Sequence, residues 1–185
     1  MTVTTLDSDT ALVVIDLQKG IVGLPTVHPI AEVLAAVTTL TKAFRRRRLP
    51  VVFVNATGVA PGRTERTHST DGFPKDWADL VPELDVQPRD LLITKTTWGA
   101  FTNTGLDAQL RALGVTQLVI VGIATSFGVE STARHAYELS YNVTLAIDGI
   151  TDLSLEAHNH SVGRIFPGLG ETGSAQEIIA LLAQS

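Results

Sequence analysis

The chain has 185 residues, 44% of them apolar and 18% charged, which suits one packed globular domain over residues 1–185 and excludes a disordered chain. Its 14 basic and 19 acidic residues leave a net charge of −5, a poor match for nucleic acid or an anionic membrane surface. Cysteine is absent, which excludes disulfides, cysteine–zinc sites and a thiol nucleophile, and fits a cytoplasmic protein.

No apolar run approaches the ~18 residues of a spanning helix, and residues 1–9 lack the basic-then-apolar pattern of a secretory signal. Five short runs, rich in β-branched residues and apolar on both faces, alternate instead with segments of period near 3.6. Residues 11–15 form the first predicted strand. A stripe of Ile30, Val33, Leu34, Val37, Leu40 and Phe44 predicts a helix, with Pro29 suited to its first position. Arg45 to Arg48 close it, where cations complement the helix dipole. Residues 51–54 are the second strand. Residues 56–90, rich in Gly, Pro, Thr and Asp, hold at most a short helix near 77–80. A connection of that length predicts a cover over a site or a contact between subunits.

Residues 91–93 follow as a strand, then Leu106, Leu110 and Leu113 as a helix opened by Thr104 with Asp107 and closed by Gly114. Residues 118–121 precede a helical stripe of Val129, Thr132, Ala133, Ala136 and Leu139. After residues 143–147 come a helix over 154–166 and a capping box, Ser174 with Glu177, opening the last helix at 178–182. Repeated strand–helix–strand units imply right-handed crossovers and a three-layer α/β/α sandwich.

Ligands of an open parallel sheet bind beyond the carboxyl ends of its strands. Those ends carry Asp16 and Gln18, Lys95, the turn from Gly122 to Gly128, and Asp148. An acid and a lysine on one sheet edge can form a partly buried pair that shifts both ionisations, or an ordinary solvated ion pair. Gln18, Trp98, Phe101 and Phe127 lie beside that centre, as walls of an apolar pocket for a planar or unsaturated acid, with core packing equally open for Phe101 and Phe127. Arg63 and Arg66 could grip a substrate carboxylate, although a solvated role suits at least one of them. The histidines, His28, His68, His135, His158 and His160, show no metal-ligand spacing on one helix face. Gly168, Gly170 and Gly173 match G-x-G-x-x-G but follow a helix near the C-terminus, the wrong context for dinucleotide binding.

Three segments carry a resemblance: Ala11-Leu-Val-Val-Ile-Asp16-Leu-Gln18, Lys95-Thr-Thr-Trp-Gly-Ala-Phe101, and Gly122-Ile-Ala-Thr-Ser-Phe-Gly-Val-Glu-Ser-Thr-Ala-Arg-His-Ala136. In this order they resemble the signature segments of the isochorismatase-like hydrolase family, the match running over about residues 10–182. The resemblance implies a six-stranded parallel sheet of order 3-2-1-4-5-6 and a homodimer or homotetramer. It implies a catalytic triad of Asp, Lys and Cys, matched here by Asp16 and Lys95, with Gly128 in the place of the cysteine. It further implies a cis peptide at Ile123–Ala124 and an oxyanion pocket of the Ala124 and Gly128 N–H groups, where a helix N-terminus adds positive potential. Thr125, Ser126 and Phe127 in the same turn join Gln18, Arg63, Trp98 and Phe101 as candidate substrate contacts.

Without a thiolate the family's amide hydrolysis through a covalent adduct is closed to this chain. Isochorismatases, which carry no cysteine at that position, cleave a vinyl ether by protonating carbon and adding water. In that chemistry Asp16 is the general acid and Lys95 its electrostatic partner, and burial must then outweigh the lysine for Asp16 to hold its proton. A catalytically impaired small-molecule binding protein or scaffold is the alternative, and Ser126 or water as nucleophile a third. The turn reads Ile123-Ala124-Thr125, as in the amidase branch, where isochorismatases carry Tyr-Ala-His. The long loop lacks the acidic and histidine cluster that holds metal in nicotinamidases, so the expected partner is a small-molecule substrate, with no metal and no cofactor.

Overall fold

A computed structural model describes residues 3–65 and 72–184. Six parallel strands, β1 (Thr10–Ile15), β2 (Val51–Ala56), β3 (Leu91–Lys95), β4 (Gln117–Ile123), β5 (Asn142–Thr151) and β6 (Glu171–Gly173), form one sheet in the order β3-β2-β1-β4-β5-β6. The helices are α1 (Lys19–Val22), α2 (Ile30–Arg46), α3 (Leu106–Ala112), α4 (Glu130–Glu138), α5 (Leu155–His160) and α6 (Ala175–Gln184). Among the described residues no helix is long and apolar enough to cross a membrane.

Strand alternation sorts the core into two halves. Leu12 and Val14 of β1 pack with Val33, Val37, Leu40 and Phe44 of α2 and with Ile178 and Leu182 of α6. Ala11, Val13 and Ile15 point the other way, toward Leu110 of α3, Ala133 and Ala136 of α4, and Phe166. Because β1 is covered on both faces it can be apolar throughout, as a central parallel strand requires.

Four local expectations are corrected. β3 is an edge strand with one face open, so Leu92 is 63% exposed and the strand is not apolar on both faces in use. The helix expected at 77–80 is a set of turns, followed by one 3-10 turn at Pro82–Leu84 where a proline sits at the start. Residues 154–166 begin as α5 but widen into a π-type turn (Ser161–Ile165) and a 3-10 turn (Phe166–Gly168) before Pro167 can interrupt a longer helix. The Thr104–Asp107 box does not form: Gly105, at φ +73°, caps α3, while Asp107 accepts from the Tyr141 hydroxyl at 2.7 Å. The Ser174–Glu177 box does form, with Ser174 Oγ accepting from Glu177 N–H and the carboxylate accepting from Ser174 N–H.

β1 and β4 are neighbours, and the chain leaves them in opposite directions, which makes the gap above them the crevice of the sheet. Gly122 sits at this point with φ +124°, and a Cβ there would lie 2.0 Å from Ile15 O. Gly122→Ala is expected to lower stability by about 3 kcal/mol or more, read as a fall in the urea midpoint. Gly163→Ala, where an added Cβ meets nothing within 4 Å, is expected to move the midpoint by less than ~1 kcal/mol.

Candidate active site

Asp16 follows β1 directly. Its φ of +53° puts a non-glycine residue in the left-handed region, held there by its N–H donating to Val54 O at 2.9 Å. Such conformations persist where surrounding structure over-determines them, often at functional sites. Lys95 ends β3, two strands away, a separation of about 10 Å across the sheet. Small Ala56, its neighbour on β2, leaves the lysine side chain free to span that distance. Lys95 Nζ donates to Asp16 Oδ2 at 2.7 Å and to Trp98 O at 2.8 Å.

Only 8% of the Asp16 side chain and 1% of the Lys95 side chain is exposed. Burial raises the Asp16 pKa more than the neighbouring ammonium lowers it, and the carboxyl is pushed up to about 6. Asp16 Oδ1 is buried and has no hydrogen-bond partner among the described residues. The site therefore holds a carboxyl group that keeps its proton up to about pH 6, far above an ordinary aspartate, with one oxygen held by the lysine and the other unengaged among the described residues.

Facing this pair is the turn after β4. The Ile123–Ala124 peptide is cis, and residues Thr125–Val129 form a wide π-type turn ahead of α4. Phe127 and Val129 N–H both donate to Ala124 O, and Ser126 N–H donates to Asp152 Oδ2 at 2.7 Å. Asp152 is itself buried and also accepts from Leu153 and Ser154 N–H, so one carboxylate ties the turn to the start of α5. The Ala124 N–H, by contrast, has no acceptor among the described residues. Gly128 lies against Asp16: a Cβ there would stand 3.1 Å from Asp16 Oδ2 and 3.0 Å from Ile15 Cγ2.

A cavity of about 660 Å³ opens over these groups. Asp16, Lys95, Trp98, Ala124, Ser126, Phe127 and Gly128 all line it. Trp98 and Phe127 meet edge to face, with ring centres 4.9 Å apart. Four other candidates lie elsewhere. Gln18 is fully buried, its amide bridging Ala56 N–H, Ala56 O and Trp77 O, so it fastens the long loop to the sheet. Thr125 is buried beneath the turn, where its hydroxyl bonds His158 Nδ1 at 2.8 Å. Phe101 packs against His135 and Tyr141 in the α3/α4 core. Arg63 is exposed and does not line the cavity. Arg66 and His68 lie outside the described residues.

Among the wall residues that escaped the sequence reading are Trp77 and Asp152. Trp77 comes from the long loop and packs on Gly20, where a Cβ would lie 1.9 Å from the ring. Asp152 was hidden because the apolar run stops at Ile147, whereas a register shift between Ile120 and Gly122 carries β5 on to Thr151. Asp148, the predicted strand-end acid, accepts instead from Ala175 N–H at the start of α6. Among the described residues there is no group of three or more His, Asp or Glu placed to hold a metal ion.

Residues 10–177 match the model of the isochorismatase domain. The chain is 40% identical over 177 residues to the isochorismatase family protein YwoC of Bacillus subtilis, covering 92% of both chains. It is 37% identical over 182 residues to YecD of Escherichia coli O157:H7, an isochorismatase family protein, covering 94% of this chain and 96% of that one. The solved structure of an isochorismatase family protein from Burkholderia thailandensis superposes with a TM-score of 0.93 at 43% identity, covering 97% of this chain and 98% of the other. This chain belongs to the isochorismatase family of hydrolases.

Proposed function

We propose that this protein hydrolyses a small organic molecule without a covalent intermediate, by protonating the double bond of a vinyl ether. The observation that carries this reading is Asp16: a buried carboxyl with a pKa near 6 and an unengaged oxygen, in a cavity that contains no thiol. In amide hydrolysis the side chain facing Asp16 would have to attack carbon, and Gly128 has none. In vinyl-ether hydrolysis no attacking side chain is needed.

The proton passes from Asp16 to the terminal vinyl carbon, and the ether oxygen supplies electrons to form an oxocarbenium ion. Water adds to the cationic carbon and surrenders a proton that restores Asp16. The resulting hemiketal breaks its bond to the ether oxygen and yields a ketone and an alcohol, so the net reaction consumes one water. Lys95 stabilises the carboxylate that remains after the proton has left, a charge-assisted bond already formed at 2.7 Å. The Ala124 N–H is available to a substrate or water oxygen. The glycine at 128 leaves the space beside Asp16 Oδ2 to the substrate.

Asp16→Asn is expected to lower kcat/KM on a vinyl-ether substrate by about 10²–10⁴, measured with circular dichroism as a check that the variant is folded. Ester and amide substrates tested alongside are expected to be inert. A wild-type enzyme inactive on vinyl ethers that still binds them would point to the binding-protein alternative.

Because only the protonated form of Asp16 donates, kcat/KM should be level below about pH 6 and fall roughly tenfold per unit above it. A rate that rises through pH 6 would make Asp16 a base and overturn this mechanism. Gly128→Cys introduces the chain's only thiol, next to Asp16. It is expected to gain measurable amidase activity where the wild type has none, at a stability cost of about 1 kcal/mol from the tight contact with Ile15.

A further inference from the structure

We infer that the substrate is an uncharged, flat, largely apolar molecule, and that the cavity selects against a carboxylate. This inference rests on the vinyl-ether reading only for its choice of probes. It departs from the expectation, drawn from the sequence, of a pocket for a planar or unsaturated acid.

The charged groups on the wall are Asp16, Asp152 and Lys95, among the described residues. Both oxygens of Asp152 are taken by backbone N–H groups of Ser126, Leu153 and Ser154, which hold the side chain in place at the cavity edge. Lys95 is buried and already spends two donors on Asp16 Oδ2 and Trp98 O. Arg63, in the described part of the loop, is not on the wall. Above about pH 6, where Asp16 is ionised and neutralises Lys95, a substrate carboxylate would therefore shed its water beside the Asp152 carboxylate with, among the described residues, only the third Lys95 donor to receive it.

The remaining wall is built for the opposite kind of molecule. Trp77, Trp98 and Phe127 supply aromatic faces, and Leu24, Leu153 and Ala157 supply aliphatic surface. Burying apolar area against them favours a neutral ring system. The aromatic faces and the Asp152 carboxylate also favour positive charge, which an oxocarbenium ion develops and a carboxylate does not.

Both tryptophans of the chain line the cavity, so intrinsic fluorescence reports occupancy independently of turnover. Phenyl isopropyl ether and 2-phenoxypropanoate differ by a methyl against a carboxylate of similar size, and neither can react as a vinyl ether. The neutral ether is expected to quench with a Kd at least tenfold below that of the carboxylate. Leu153→Arg, which puts a cation at an exposed wall position, is expected to improve carboxylate binding by tenfold or more. Equal affinities, a preference for the carboxylate, or no quenching by either compound overturns the inference. Kinetics with the unsaturated pair, phenyl isopropenyl ether and 2-phenoxyacrylate, separate the two readings. Selective binding of the saturated ether with no hydrolysis of either vinyl ether would leave the cavity's preference standing and remove the proposed reaction.

Discussion

The site depends on one buried ion pair and on which of two opposing effects dominates it. Taking Asp16 out of water disfavours its charged form, and placing the Lys95 ammonium 2.7 Å away favours it. Burial wins, so the carboxyl ionises near pH 6. The sign of its contribution to stability follows. The folded state binds this proton more tightly than the unfolded chain does, so the stabilising contribution is complete below the ordinary value of 3.8 and is lost as pH rises through 6. At neutral pH an ionised Asp16 opposes folding, and the rest of the sheet must hold it in place.

That hold is supplied by ordinary packing. β1 is sealed on both faces by α2 and α6 on one side and by α3 and α4 on the other, which fixes where Asp16 emerges. The edge position of β3 brings Lys95 no nearer than two strand spacings, and the length of the lysine side chain makes up the difference. On the far side, Asp152 and the Thr125–His158 bond clamp the turn that carries Ala124 and Gly128. Burial holds His158 below its ordinary pKa, with His28 beside it acting in the same direction, so it stays neutral in this network.

Gly128 changes the meaning of the whole arrangement. An acid, a lysine and a free backbone donor would suit an attacking group in their midst, yet the position whose Cβ would stand 3.1 Å from Asp16 Oδ2 carries no side chain. In the proposed reaction that space belongs to the substrate and Asp16 supplies a proton instead of activating a nucleophile. Trp77, delivered by the long loop and pressed onto Gly20, adds an aromatic wall to the same cavity.

Alternating apolar runs and helical stripes were enough to determine the layered sheet, and three short segments were enough to point to the family, because both are local patterns written along the chain. Asp16, Lys95 and the 122–128 turn were legible for the same reason: in a parallel sheet the residues that end the strands share one edge. What the chain order could not express was direction and distance. Phe101 and Phe127 look alike in sequence, and only packing sends one into the core and the other to the cavity. Gln18 and Thr125 are polar residues turned inward to satisfy buried backbone and a histidine. Asp152 replaces Asp148 because a register shift between two strands carries β5 further than its apolar run suggests. The balance between burial and Coulomb attraction at Asp16 likewise belongs to the tertiary structure, since it is set by how much protein surrounds two side chains that lie 79 residues apart in sequence.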